Sequence, residues 1–212
     1  MKISTRDLAG LPDVTRLRRL LQSMAMLDAI LEPEWEYRYY SFNAHWGEGE
    51  MMGSMRDGAG DEFFALFNSH GTFLKGFAHD SPAAAARMPS QLFYRDLPQQ
   101  FEECRREPAF ATDDVTFCIW RLIEQPTWSY GKVDLPASDD ADGSARLLSM
   151  LDGNPDTYRL WASEYFESDV PRAAIEAIYQ HQPLSDELVM ALNPQQSKKL
   201  LGPDLAEIGY AA

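Results

Sequence analysis

Residues 34–79, EWEYRYYSFNAHWGEGEMMGSMRDGAGDEFFALFNSHGTFLKGFAH, decide the fold. Within this stretch, apolar and aromatic residues recur with a period near two in four segments: EWEYRYYSF (34–42), EMMGSMRDG (50–58), DEFFALFN (61–68) and TFLKGFAH (72–79). That period is typical of β-strands. The separators AHWGEG, DGAG and SHG all carry glycine and have hairpin length. The pattern therefore predicts an antiparallel meander.

A helix is predicted immediately before the strands. Apolar residues recur at helical spacing between Asp13 and Leu31, and Asp13 is a suitable N-cap. Pro33 disfavours helical geometry at the residue before it, so the helix should end near Leu31. We expect this helix to pack on one face of the sheet.

The rest of the chain predicts further strands and then helices. VTFCIWRLI (115–123) favours a strand, and PTWSYGKVDLP (126–136) a loop or edge strand. ASDDADGSA (137–145) is the expected internal boundary, and helices should follow, with Asn154 and Ser185 as caps. We expect one α+β domain over residues 1–212. Residues 1–136 would form the helix and a four- to six-stranded antiparallel sheet, and 143–212 a helical C-terminal part.

The order of amphipathic helix, antiparallel meander and trailing helices resembles the architecture of the SUKH family over roughly the first two thirds of the chain. The resemblance lies in the order of the elements and includes no motif, so it carries over no functional residue. Many bacterial SUKH proteins are immunity proteins that neutralise toxin domains. The resemblance thus implies a protein-binding role.

The net charge of the chain indicates which classes of partner it can bind. The chain has 19 basic and 33 acidic side chains and a formal net charge of -14. Such a charge repels phosphate backbones and anionic lipids, which disfavours binding to nucleic acid or to a membrane. A basic protein or a metal ion is favoured instead.

The compartment is predicted from two signals. Cys104 and Cys118 are the chain's cysteines, too few for a disulfide framework, and this suits a reducing environment. The sequence contains no apolar leader and no run of about 18 apolar residues. We therefore expect a protein of the bacterial cytoplasm.

Strand order predicts which polar side chains meet. In a meander, the first and third turns lie at one end of the sheet, and the second turn and the exit of the fourth strand lie at the other. One end should therefore gather His45, Glu48, Glu50 and His70. The other should gather Asp57, Asp61, His79 and Asp80.

Three interpretations of the first end stay open. Gly47, Gly49 and Gly53 could simply supply turn or bulge geometry. The tip could be a recognition surface whose binding residues are His45, Trp46, Glu48 and Glu50, because aromatic anchors dominate interface energies. In the third interpretation this end is a metal site, with His45, Glu48 and His70 as the ligands. These residue types suit zinc or another transition metal that activates water. However, no HxH or HExxH pair fixes their spacing.

Other catalytic motifs are missing from the sequence. It has no GxSxG, GxxxxGK[ST] or GxGxxG, so we predict no catalytic residue and no cofactor. SDDADG (138–143) resembles the front of a calcium loop, but Ser149 stands where a bidentate glutamate is needed, which favours a solvated acidic loop. The resulting hypothesis is a non-catalytic protein-binding module, such as an immunity or inhibitor protein for a basic toxin or nuclease. The alternative is a metal-dependent hydrolase.

Overall fold

The computed structural model describes residues 2–210, which form a six-stranded antiparallel sheet with the strands in chain order. The strands are β1 (Tyr40–Gly47), β2 (Glu50–Arg56), β3 (Glu62–Asn68), β4 (Gly71–Phe77), β5 (Phe117–Leu122) and β6 (Ser129–Tyr130). Every neighbouring pair is antiparallel, so the sheet is a meander.

The helices precede, interrupt and follow the sheet. They are α1 (Val14–Leu31), α2 (Pro82–Ala85), α3 (Ser144–Leu147), α4 (Pro155–Tyr165), α5 (Arg172–Tyr179), α6 (Asp186–Leu192) and α7 (Gly202–Ile208). The 3-10 segments are Trp35–Tyr37, Ser90–Leu92, Gln99–Arg106, Pro108–Phe110 and Ser149–Asp152. The predicted α+β class is confirmed. Within residues 2–210, no helix combines the length and the apolar character needed to cross a bilayer.

The first strand begins later than predicted. Trp35–Tyr37 forms a 3-10 turn, and β1 starts at Tyr40 because the buried Asp28 carboxylate of α1 accepts the backbone N–H groups of Tyr39 and Tyr40 at 2.9 and 2.7 Å. β1 then continues to Gly47, through residues expected to be a turn, with a register shift after Asn43. The turn therefore shrinks to two residues, Glu48 and Gly49.

Helices cover one face of the sheet. α1 lies across β1 and β2, and α4 to α7 surround it. A side chain at Gly53 would place its Cβ 2.9 Å from Leu21 Cδ1, so the absence of a Cβ lets α1 approach the sheet. The amphipathic helix packs as predicted.

The connector between β4 and β5, residues 78–116, covers the opposite face. Its buried Phe93, Phe101 and Phe110 pack on Phe73 and Trp120 of the sheet. Both faces of the sheet are thus covered by other elements.

The acidic segment 137–145 is only partly the solvated loop that the sequence predicted, since residues 137–139 are exposed and residues 141–144 are buried. Asp142 is 4% exposed. Its carboxylate accepts hydrogen bonds from the hydroxyls of Thr5 and Ser144 at 2.5 and 2.6 Å, and its carbonyl accepts one from the Thr116 hydroxyl. Asp142 therefore joins the N-terminal Thr5, through its carboxylate, to Thr116 directly before β5, through its carbonyl, and these two partners distant in sequence explain its burial.

Candidate functional site

An open cleft of about 420 Å³ lies at the end of the sheet, on the face covered by the connector. We call it the hairpin cleft. Its walls are the β1–β2 turn, the β3–β4 turn and the 3-10 segment Gln99–Arg106. The lining comprises Trp46, Glu48, Gly49, Glu50, Leu66, Asn68, Ser69, His70, Gln100, Glu103, Cys104, Glu107 and Phe110.

Local hydrogen bonds shape the two hairpin tips in the same way. The Asn43 side chain accepts the N–H of His45 at 2.7 Å, and the Asn68 side chain accepts the N–H of His70 at 2.9 Å. Gly49 closes the first turn at a φ of +72°, a conformation that glycine adopts without strain. Two asparagine side chains therefore hold these tips through local hydrogen bonds, and Gly49 allows the tight first turn.

An aromatic stack supports the inner wall of the hairpin cleft. The rings of Trp46 and Phe110 lie 5.9 Å apart and are nearly parallel, at 17°. Phe110 stacks in turn on Phe64 at 5.3 Å. Since Phe110 is fully buried, it fixes the plane of the partly exposed Trp46 ring.

The hairpin cleft is strongly acidic. Glu48, Glu50, Glu103 and Glu107 line it, and no lysine or arginine does. Glu107 accepts the N–H of Ala109 at 3.0 Å, whereas the other three carboxylates have no hydrogen bond or ion pair with any residue in 2–210. Their negative charge is thus left for an external cation.

The one thiol in the lining is unreactive. Burial, followed by the negative charge of Glu50, raises the pKa of Cys104 to about 12. A thiol with such a pKa stays protonated at neutral pH and is a poor nucleophile. Cys104 is therefore a poor candidate for a nucleophile in the hairpin cleft.

The structure brings most of the predicted site residues together. Trp46, Glu48, Glu50 and His70 all line the hairpin cleft, while His45 lies outside the lining with an exposed side chain. His45, Glu48 and His70 do not place their ligand atoms within 4.8 Å of one another. The metal site at this end stays a prediction.

Sequence reasoning missed the wall that the connector supplies. Glu103, Cys104, Glu107 and Phe110 come from a segment more than 30 residues away from the nearer hairpin tip. The available signal was the helical spacing of Phe101 and Cys104 in PQQFEECRRE (98–107), but nothing local says which end of the sheet this segment covers.

The opposite end of the sheet gathers the second predicted group. Asp61, His79 and Asp80 have ligand atoms within 4.8 Å of one another, and His79 Nδ1 lies 2.8 Å from Asp61 Oδ1. Arg146 forms ion pairs with both carboxylates. The predicted proximity is confirmed, and the Arg146 guanidinium offsets part of the negative charge of the two carboxylates.

An exposed aromatic patch was also missed. Trp35, Tyr37 and Tyr165 are 54%, 56% and 43% exposed, and the Tyr165 hydroxyl donates a hydrogen bond to the Tyr37 carbonyl at 3.2 Å. Because the sequence predicted a strand from residue 34, the rings of Trp35 and Tyr37 were assigned to a sheet face. The 3-10 turn places them at the surface instead.

No protein-family model, no curated protein and no solved structure matches the chain.

Proposed function

We propose that the chain is a non-catalytic protein-binding module whose hairpin cleft receives a basic segment of a partner protein. The observation that carries this proposal is the lining of the cleft. Glu48, Glu50 and Glu103 have no partner among the described residues, and the lining contains no basic side chain. Carboxylates in such a setting favour the guanidinium or ammonium groups of a partner through charge-assisted hydrogen bonds.

Trp46 supports the same proposal. Its ring is held in plane by Phe110 and is partly exposed beside Glu48 and Glu50. Arginine stacks on an indole face and can also pair bidentately with a carboxylate. An arginine of the partner would therefore meet both kinds of contact in one cleft.

The net charge supports a partner class. A formal charge of -14 speeds encounter with a positively charged protein. Toxins that act on nucleic acid carry basic surfaces for phosphate, and an acidic module that covers such a surface would block the toxin. We therefore place the chain among immunity or inhibitor proteins for a basic toxin or nuclease, acting in the cytoplasm.

The test is affinity capture with the tagged full chain from lysate of its source organism, at low and moderate salt. The cleft variant combines Glu48→Gln and Glu50→Gln. The control combines Glu164→Gln and Glu207→Gln, two exposed glutamates outside the cleft, and has the same net charge. We expect the wild type and the control to retain one basic protein at a stoichiometric ratio, more weakly as salt rises. We expect the cleft variant to lose it.

Equal retention by the cleft variant would contradict the proposal, because the cleft would then make no contribution. Elemental analysis of the same samples addresses the alternative function. Zinc, nickel or iron at near-stoichiometric amount, lost in His70→Ala, would favour the metal-dependent hydrolase at this end of the sheet.

A further inference from the structure

A second cavity, of about 630 Å³, lies on the α1 face of the sheet and differs in charge from the rest of the protein. Its walls are the turn before α1, the first half of α1, the end of β5 and the end of α5. Three guanidinium groups line it, those of Arg16, Arg19 and Arg121. We call it the arginine cavity. Such a concentration is unusual in a chain whose acidic side chains outnumber its basic ones by 33 to 19.

These guanidinium groups keep donors free for a ligand. Arg121 Nε donates to the Gln125 carbonyl at 2.9 Å and Arg19 to the Gln180 carbonyl at 3.3 Å, and neither arginine forms an ion pair within residues 2–210. Arg16 has one ion pair, a long one of 3.5 Å with Asp13. Carbonyl contacts orient a guanidinium without neutralising its charge, so the lining, with three arginines and two aspartates, keeps a net positive charge.

Two carboxylates also line the arginine cavity, but both are engaged locally. Asp13 caps α1 by accepting the N–H of Arg16 at 2.9 Å. Asp152 accepts the N–H of Asn154 at 2.8 Å with one oxygen and the Thr157 hydroxyl at 2.7 Å with the other. The N-terminus of the 18-residue α1 adds positive potential at the same place.

One residue in the lining of the arginine cavity carries a buried polar group without a partner in residues 2–210. The Tyr179 ring lines it, and the hydroxyl of Tyr179 has no hydrogen-bond partner among the described residues. Native proteins satisfy most such groups, so the Tyr179 hydroxyl is a second indication of a polar ligand.

We propose that the arginine cavity binds a small organic molecule that carries a phosphate group. Guanidinium groups match phosphate oxygens in geometry and charge, and a helix N-terminus favours the same anion. Leu11, Pro12 and Leu20 provide apolar contact for the organic part. The volume lies within the usual range of roughly 300–1,000 Å³ for small-molecule sites. This site is independent of the hairpin cleft, which lies on the other face of the sheet.

The experiment uses the full chain and phenyl phosphate as the probe, at constant ionic strength, with phenol as its uncharged counterpart. Binding is measured by calorimetry and by the rise in melting temperature. We expect saturable binding of phenyl phosphate, a smaller melting-temperature rise with inorganic phosphate, and none with phenol. Arg19→Gln and Arg121→Gln should each weaken binding at least about tenfold, the usual effect of losing a charged hydrogen bond.

Arg95→Gln is the matched control, because Arg95 is exposed, lies outside the arginine cavity and loses the same charge. It should bind as the wild type does. Absence of saturable binding would overturn the proposal, as would equal weakening in all three variants, which would indicate a diffuse charge effect. Arg19 is exposed, so Arg19→Gln keeps the test decisive even if Arg121→Gln lowers stability.

Discussion

At the residue scale, Asp28 has the most consequential environment in the chain. It is completely buried in α1 and accepts hydrogen bonds from the Tyr158 hydroxyl at 2.5 Å and from the N–H groups of Tyr39 and Tyr40. Burial raises the pKa of Asp28 to about 7, and the hydrogen bonds lower it only in part. One carboxyl group therefore joins α1, β1 and α4, and it titrates near neutral pH.

Asp28→Asn should change how stability depends on pH. The folded-state pKa lies above the unfolded one, so the folded protein binds the extra proton between about pH 4 and pH 7. The contribution of Asp28 to the free energy of unfolding is thus present at acidic pH and is lost as the pH rises through about 7. The free energy of unfolding of the wild type should fall relative to that of Asp28→Asn by up to about 1.4 kcal/mol per pH unit in this interval.

Urea denaturation of both proteins between pH 4.5 and 8.5 measures this difference. Asp134→Asn removes an exposed carboxylate that forms no hydrogen bond within residues 2–210, and it should show no such trend. A difference between the wild type and Asp28→Asn that does not vary with pH would show that Asp28 stays ionised when buried.

At the scale of elements, the contact between the connector and β6 depends on one glycine. Gly131 directly follows β6, and its N–H donates to the Cys118 carbonyl at 3.0 Å. A Cβ at this position would overlap the carbonyl oxygen of Phe93 in the connector. Because the obstacle is backbone, no side-chain rotation can relieve it.

Gly131→Ala should therefore destabilise the protein by about 1–3 kcal/mol or more, the usual range for overpacking. Gly202→Ala is the control, since a Cβ there meets nothing within 4 Å and Gly202 begins α7. The control should be neutral or slightly stabilising. Thermal and urea unfolding provide the comparison, and equal stability of the two variants would contradict the tight connector contact.

Element boundaries show where sequence patterns succeed. Asp13 caps α1, Asn154 caps α4 and Ser185 caps α6, all as predicted, because a cap bonds to an N–H within three residues of itself. α7 lies in the part predicted to be helical, but its bounds were not predicted, and it is held in place by tertiary contacts such as the hydrogen bond from Gln22 to the Ile208 carbonyl at 3.0 Å. The start of β1 was also misplaced, since it depends on the distant Asp28.

At the scale of the whole molecule, net charge should govern the response to salt. A formal charge of -14 implies self-repulsion in the compact state, which salt screens. Raising sodium chloride from about 0.05 to 0.5 M at pH 7.5 should raise the free energy of unfolding, by roughly 1 kcal/mol or less, the scale of a surface ion pair.

The same change in sodium chloride concentration near pH 4.5 is the internal control, because many carboxylates are then protonated and the repulsion between them is weaker. The salt effect should shrink there. A decrease in stability with salt at pH 7.5 would mean that favourable ion pairs, such as those of Arg146 with Asp61 and Asp80, outweigh the repulsion.

The sequence by itself determined the fold class, the meander, the first helix and the ends at which polar turns gather. Those features follow from periodicity, glycine-bearing turns and caps, which act over a few residues. It also placed Glu48, Glu50 and His70 at one end of the sheet, since strand order alone decides which turns are neighbours.

Only the tertiary structure decided what surrounds those residues. It added Glu103 and Glu107 to the hairpin cleft, buried Asp142 and brought Arg121 beside α1. Each of these placements joins segments that are distant in the chain, and no local pattern specifies which end or face of the sheet a connector covers. The reason is that burial and charge clustering depend on how complete elements pack together, whereas the sequence pattern describes each element alone.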